Sequence, residues 1–479
     1  MAGASAVGTA VAGCSPDSSG ARPTSFPSPP PSTSASSVPA GPPDWNALRS
    51  RLSGRLVVPG ESAFESAKRG FNPFFDDHAP AAVAQCATPE DVQACITAAA
   101  RRVPIAARSG GHSYAGYSAP EHGLVVDVGR MSTVDVQGDR VVVGAGARLK
   151  DVYAALGPAG RCLPAGTCPT VGIAGLTLGG GIGVLTRQYG LTCDRLLSAR
   201  IVTADGTVRT ASADSESELF WALRGGGGGN FGIVTSFTFA TDPAPEVTVF
   251  ALRFPDGSAG DVAGAWQSWI SGTPSKLWSN LVLTSGSPVK SRVGGCFVGD
   301  PGALNPLLDD LVRRAGATPV SRSARQMDYP GAMRYFAGGE DRESFVASSR
   351  VIGKPIDPAG LTGTIAGKTG VDLLIDSLGG AVSRMAPSDT AFWHRGALAS
   401  VQVYASATAG NRDAVTRTVG GVVAGLAAAG ADGAYVNYID PALPDWMNAY
   451  YGGNAPRLRQ VARSYDPQGV FRFAQGVAA

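Results

Sequence analysis

Arg108-Ser109-Gly110-Gly111-His112-Ser113-Tyr114 and Gly166-Thr167-Cys168-Pro169-Thr170-Val171-Gly172-Ile173-Ala174-Gly175 are two glycine-rich loops, each with one nucleophilic side chain. Glycine leaves backbone N–H groups bare, so such loops can close on an anionic cofactor. His112 in one loop and Cys168 in the other could bond to that cofactor from two sides. Taken singly, the first loop also reads as a plain turn and Cys168 as a small buried hydrophobe. The common nucleotide motifs are missing: GxxxxGK[ST] does not occur, and no GxGxxG joins a strand to a helix with an acidic residue suitably placed after it. This argues against a P-loop and a nicotinamide Rossmann domain.

Outward from these loops the chain alternates short apolar runs with helical stretches. Thr88-Pro89-Glu90-Asp91 supplies a cap, a first-turn proline and early carboxylates, so a helix is expected over Pro89 to Arg102. Pro104 to Ala107 reads as the strand that delivers the first loop, and Leu149 to Leu156 as a short helix. Ala199 to Thr203 and Thr207 to Ala211 flank a hairpin turn at Asp205-Gly206. A helix from Ser217 to Arg224, the run Gly225 to Gly229 and a strand from Ile233 to Phe239 complete a cofactor unit over residues 46–245. In residues 246–432, strands such as Trp278 to Leu283 and Ala397 to Tyr404 alternate with helices at Ala259 to Ser271, Gly302 to Ala315 and Ala414 to Ala429. That order predicts an antiparallel sheet with helices on one face, hence an α+β fold. Residues 433–479 form a separate closing segment.

The 479 residues carry 40 Lys and Arg against 38 Asp and Glu, a net charge of +2, with no basic run, so nucleic acid is not an expected partner. Seven cysteines without a CxxC pair argue against zinc and against a disulfide framework, so no metal is expected. No segment reaches the roughly 18 apolar residues of a membrane span. Residues 1–14 end in Val11-Ala12-Gly13-Cys14, which resembles a lipobox, and the Ser/Pro-rich residues 15–45 read as a tether. Export with lipidation at Cys14 is the expectation. No Arg or Lys precedes the apolar stretch, and the alternative is an ordinary alanine-rich terminus on a cytoplasmic protein.

RSGGHSY, then GTCPTVGIAGLTLGGGIGVLTRQYGLTCD (Gly166 to Asp194), RGGGGGNFGIVTSF (Arg224 to Phe237), AYVNYID (Ala434 to Asp440) and YDPQGVF (Tyr465 to Phe471) occur in one order. This set resembles the berberine-bridge-enzyme-like family of FAD-linked oxidases within the vanillyl-alcohol-oxidase superfamily. The resemblance runs from about Asp76 to Gln475 and departs at the long glycine run Gly225 to Gly229. It implies a two-lobed FAD-binding domain beside the sheet-and-helix substrate domain. By the same resemblance His112 bonds to the flavin 8-methyl group and Cys168 to the six-position of the ring. Arg108, Ser109, Gly110, Gly111 and Ser113 belong to the loop that cradles the pyrophosphate. Gly172, Gly175, Gly179, Gly181 and Gly183 let the second loop pass close to the cofactor, and Gly232, Ile233 and Val234 line its adenosine side.

The resemblance further makes Tyr438 the catalytic base and turns Asn437 toward the flavin edge or substrate. An ordinary phenol titrates near about 10, so such a base requires neighbours that lower its pKa. Trp393-His394-Arg395 and Gln402-Val403-Tyr404 are expected on strands facing the flavin, with His394, Gln402 and Tyr404 lining the substrate pocket. Val171 matches members that react with oxygen. The implied activity is oxidation of an alcohol, sugar hydroxyl, phenol or polyketide by hydride transfer to FAD, with dioxygen as acceptor and hydrogen peroxide as product. A dehydrogenase using another acceptor and a surface-anchored, non-catalytic flavin-binding protein are the alternatives.

Overall fold

The computed structural model describes residues 41–478. The expected signal, the lipobox with Cys14 and most of the tether lie outside the described residues. Four short strands, β1 (Arg55–Val57), β2 (Ala82–Gln85), β3 (Ile105–Arg108) and β4 (Leu124–Asp127), form a sheet in the order β1-β2-β4-β3. β4 is parallel to β2 and to β3. The helix Pro89–Ala99 makes the crossover; the Thr88 hydroxyl accepts the Asp91 N–H at 3.3 Å. It stops three residues short of the expected Arg102, because Ala100 leaves the helical region at ψ 128° and Arg101 follows with a left-handed φ of 66°.

The second lobe is antiparallel: β5 (Val134–Gln137), β6 (Arg140–Gly144), β8 (Leu196–Val202), β9 (Val208–Ser212) and β10 (Ile233–Ala240) lie in the order β5-β6-β10-β8-β9. A ribbon of β7 (Arg161–Cys162) with β11 (Asp242–Pro243) stands beside it in sequence. Asp205-Gly206 turns β8 into β9, with Gly206 at φ 75° and the Asp205 carboxylate accepting the Thr207 N–H at 3.1 Å.

The third sheet has seven strands: β12 (Val247–Arg253), β13 (Leu277–Thr284), β14 (Lys290–Val298), β15 (Ser321–Met327), β16 (Phe345–Ile352), β17 (Asp372–Ser377) and β18 (Ala399–Ser406). Their order is β15-β12-β14-β13-β17-β18-β16, antiparallel throughout. Alternation gives the sheet two faces. Leu281, Leu283, Val293, Leu373, Ile375, Val401 and Val403 bury against the helices Ala259–Gly272, Pro301–Ala315 and Arg412–Ala428, where Trp266, Trp269, Leu308 and Leu426 complete a core. Each such side chain contributes roughly 1.5–3 kcal/mol of burial. The opposite residues, Asn280, Asp372, Leu374, Asp376, Gln402 and Tyr404, face a cavity. The α+β class stands as expected. Trp393-His394-Arg395, expected on a strand, instead form a turn ahead of β18, in which the Arg395 N–H donates to the Trp393 carbonyl at 2.8 Å.

No helix among the described residues is long and apolar enough to cross a membrane.

Candidate functional site

β3 ends at Arg108 and releases the first glycine loop; the second passes from Gly166 into the helix Ile173–Leu178. The two meet backbone to backbone. A Cβ on Gly110 would sit 2.3 Å from the Gly172 nitrogen, and one on Gly172 would sit 2.2 Å from Ser109 Oγ. A Cβ on Gly183 would fall 1.8 Å from the Ala165 carbonyl oxygen. Only glycine permits these approaches. Gly175 differs: around its missing Cβ there is nothing within 4 Å, and it lines the cavity. Arg108 supports the loop from behind, its guanidinium donating to Asp127 at 2.6 and 2.9 Å and to the carbonyls of Ala67 and Lys68. Ser109 Oγ donates to the Ala145 carbonyl at 2.7 Å, and Ser113 Oγ accepts the Tyr117 N–H at 3.2 Å.

The cavity encloses about 1000 Å³ and draws on both lobes, the seven-stranded sheet and the C-terminal segment. His112 and Cys168 both line it, as do Val171, Gly232, Ile233 and Val234. The His112 ring stacks on Phe71, centroids 3.9 Å apart at 19°, and one ring nitrogen, Nε2, lies 2.9 Å from Thr170 Oγ1. Burial, aided by the nearby Arg148 charge, pushes the imidazole down to about 4, so it is neutral at physiological pH. Cys168 is the exposed member of the described cysteines, and the space it faces is the cavity. Burial first, then the charges of Glu343 and Asp376, push its thiol upward.

Tyr438 closes the 3₁₀ turn Val436–Tyr438. Its ring stacks on Tyr114, centroids 5.5 Å apart at 6°, and meets Tyr435 edge-on at 5.0 Å. The lowered phenol pKa expected for a base is not what the protein provides. Burial pushes Tyr438 well above the ordinary phenol, and Asp376, Tyr114, Tyr435 and Cys168 push the same way. Asp376 is the group tuned toward neutrality: on β17, facing the cavity, its carboxyl is pushed up to about 7 by burial. Among the described residues its carboxylate has no hydrogen-bond partner.

Gln402 and Tyr404 lie on β18 and line the cavity. Gln402 Nε2 donates to the Tyr114 hydroxyl at 2.6 Å, and the Tyr404 hydroxyl donates to Glu343 at 2.9 Å while its ring stacks on Phe345. Four expectations need correction. His394 does not line the cavity: its ring packs beside Gly433 and its Nε2 lies 3.1 Å from the Ala449 carbonyl, because the turn that carries it faces the C-terminal segment. Gly179 and Gly181 are likewise outside the lining. Gly179 makes room for Asn437, whose Oδ1 would lie 2.0 Å from a Cβ there, and the Gly181 N–H donates to the Tyr435 hydroxyl at 3.0 Å. Asn437 does reach the cavity, but its amide is committed to the Leu176 carbonyl at 2.9 Å and the Tyr435 hydroxyl at 2.8 Å. It anchors the second loop to the C-terminal segment and is a positioning residue.

Asp376 and Glu343 were missed in the sequence. The signal for Asp376 was Asp-Leu-Leu-Ile-Asp-Ser over Asp372–Ser377, in which two acids four residues apart fall on one face of a strand and Leu373 and Ile375 on the other. Glu343 sits in a loop without pattern and gave no signal.

The donor set fits FAD: a neutral imidazole, a reachable thiol, glycine backbone with open space at Gly175, and a cavity at the upper end of small-molecule sites. Comparison with known proteins agrees. The sequence profile described as "FAD binding domain" matches residues 80–212, and "Berberine and berberine like" matches residues 434–478. A Bacillus subtilis protein described as an uncharacterized FAD-linked oxidoreductase is 34% identical over 90% of this chain and 98% of its own. The chitooligosaccharide oxidase of Gibberella zeae is 32% identical over 83% of this chain and 87% of its own. Among solved structures, the glucooligosaccharide oxidase of Acremonium strictum, described with a 6-S-cysteinyl, 8α-N1-histidyl FAD, superposes with a TM-score of 0.83 at 28% identity, covering 90% of this chain and 98% of that one.

Proposed function

The chain belongs to the berberine-bridge-enzyme-like FAD-linked oxidoreductases, and from that premise we propose that it oxidises a CH–OH group of a sugar or oligosaccharide, with FAD attached through both His112 and Cys168 and dioxygen as the final acceptor. When bound, FAD supplies the two-electron acceptor for the substrate hydride, and its return to the oxidised state by dioxygen yields hydrogen peroxide. The observation that carries the reading is one cavity lined by His112 and Cys168 from the two glycine loops, Tyr438 from the C-terminal segment and Asp376 from β17.

The chain's own residues divide the work. Neutral His112 keeps a ring-nitrogen lone pair for bond formation, while Thr170 holds Nε2 and Phe71 holds the plane. Main-chain N–H groups of Ser109 to Ser113 serve the pyrophosphate. Gln402, Glu343 and Tyr404 offer hydrogen bonds to sugar hydroxyls, and Phe345 and Tyr404 give them an aromatic floor. The hydroxyl proton goes to Tyr438 and Asp376 acting together. Tyr438 alone is a neutral phenol; Asp376, which acts on it by charge with no hydrogen bond between them, offers the proton an acceptor whose affinity matches neutral pH. Tyr435, Asn437 and Tyr114 fix the Tyr438 ring.

Acid precipitation tests the attachment. Wild-type protein should stay yellow in the pellet, His112→Ala and Cys168→Ala should each retain one bond, and the double variant should release all flavin. Release from the wild type sinks the two-bond reading. A panel of neutral sugars, oligosaccharides and phenols, followed by flavin bleaching without oxygen and peroxide with it, tests the substrate class.

A further inference from the structure

The cavity face of the seven-stranded sheet carries cations that the protein itself does not neutralise. Val282 on β13 opposes Arg292 on β14, Arg292 opposes Arg253 on β12, and Val249 on β12 opposes Arg325 on β15. Directly opposed residues share a face. Here the face is the cavity's, because Asn280, Arg292, Gly294 and Ala251 line it. Lys290 lies two positions before Arg292, on the same side. All four cations are exposed, and among the described residues none pairs with a carboxylate. Arg325 instead lies over the ring of Tyr335, 5.9 Å from its centroid, and Tyr335 is an exposed residue of the cavity wall.

The helix side of the same sheet is an internal control. There Arg322 pairs with Asp309 at 2.5 Å, and Arg313 and Arg314 both pair with Asp310 at 2.8 Å. These three helix-side cations are neutralised, whereas Arg253, Arg292, Arg325 and Lys290 on the cavity face are left free. The reacting end of the cavity has the opposite sign, with Asp372, Asp376 and Glu343 in its lining. Neighbouring strands lie about 4.8 Å apart, which puts β14 about 10 Å and β12 about 14 Å from the strand of Asp376. Cations at that distance cannot touch the hydroxyl that reacts; they face whatever is attached to it.

Resting on the oxidase reading above, we infer that the substrate is an anionic oligosaccharide, its reacting unit against Tyr438 and Asp376 and a later unit, bearing a carboxylate or sulfate, over Arg292, Arg253, Arg325 and Lys290. The strip draws the acidic end in and repels nothing at the neutral end, so it also sets which end enters first.

The test uses the FAD-loaded enzyme with trigalacturonate, a sulfated galactotriose and neutral galactotriose. Binding is read by tryptophan fluorescence, since Trp278 lines the cavity, and turnover by flavin reduction. At low salt the acidic probes should bind about tenfold or more tightly than the neutral one, and the advantage should shrink by about 0.5 M salt. In the double variant Arg253→Gln/Arg325→Gln the acidic-to-neutral ratio of kcat/KM, and of affinity, should fall about tenfold. A preference for one acidic probe over the other identifies the anion. Equal binding of acidic and neutral probes, or a ratio unmoved by salt and by the substitutions, overturns the inference. If no sugar reduces the flavin the oxidase reading fails instead, and the binding measurement still decides for or against the cation strip.

Discussion

The cavity has two unlike walls. One is main chain, where loops meet so closely that a Cβ on Gly110 would lie 2.3 Å from the Gly172 nitrogen. The other is side chain, where alternate residues of β13, β17 and β18 present Asn280, Asp376 and Gln402. A backbone wall leaves no freedom in residue type and suits a group that never changes. A sheet face can exchange each side chain without moving the strand, and suits a group that differs between enzymes. The first wall therefore speaks for the cofactor and the second for the substrate.

The strongest challenge to that division is a pair of alanines. Gly110→Ala has no room and should give either no soluble protein or protein without flavin. Gly175→Ala meets nothing within 4 Å, so the fold should persist, with a thermal midpoint within about 2 °C of the wild type, while flavin content falls. Full flavin occupancy in Gly175→Ala would show that the open space at this wall is not the cofactor's.

Next in size are the substitutions that test the proton acceptors. Tyr438→Phe should fold, keep its flavin and slow anaerobic flavin reduction by about 100-fold or more. Asp376→Asn should act similarly and change the pH profile. With its carboxyl raised to about 7, Asp376 holds its proton below that pH and gives it up above. Wild-type reduction should therefore rise with pH through about 7, and the profile of Asp376→Asn should be flat there. The same sign governs stability in the flavin-free protein. A raised carboxylate pKa costs stability as pH rises from the ordinary carboxylate range to about 7, so Asp376→Asn should be the more stable above 7 and equal to the wild type near pH 3. An unchanged profile would remove Asp376 from the proton path.

The two walls also differ in how far the sequence discloses them. Glycine at a close approach is irreplaceable, so the two loops stand out by residue identity, while the roles of His112 and Cys168 came only with the family resemblance of the whole motif set. The sheet wall is encoded only as alternation, and alternation is visible only once a strand has been recognised. β18 was recognised, and Gln402 and Tyr404 fell on its cavity face; β17 was not, and Asp376 went unseen. His394 failed for a related reason: a residue in a turn has no period, so its side chain cannot be assigned a face. Gly179 and Gly181 show the limit of reading glycine itself. Their small size serves Asn437 and Tyr435 in the C-terminal segment and Thr192, eleven residues on from Gly181, partners that no local pattern announces.

Val171 probes the loop wall at finer scale. It lines the cavity and is only partly buried, so an added methylene enters space that dioxygen would use. Val171→Leu should slow reoxidation of the reduced flavin by about tenfold, a loss of about 1.4 kcal/mol in access, with reduction by substrate little changed. Stopped-flow mixing with oxygen reads it. If the wild type itself reoxidises far more slowly with oxygen than it turns over with an artificial quinone, the acceptor is not oxygen and the dehydrogenase reading takes its place.

The smallest expected effect lies at the mouth of the sheet wall. Tyr404→Phe removes one hydroxyl, the donor to Glu343, and leaves the ring stacked on Phe345 at 5.2 Å. Glu343 is exposed, so water replaces much of what it loses, and the net cost of a solvent-accessible hydrogen bond is about 0.5–1.5 kcal/mol. KM should rise about threefold with kcat unchanged, since the bond belongs to substrate positioning and not to the reacting proton. Burial and the neighbouring Glu343 charge both push the Tyr404 phenol upward, which makes it a poor base at neutral pH. A drop in kcat as large as that expected for Tyr438→Phe would therefore reverse the assignment of the two tyrosines. It would place the proton acceptor on the sheet, and the substrate wall would then carry the chemistry as well as the selectivity.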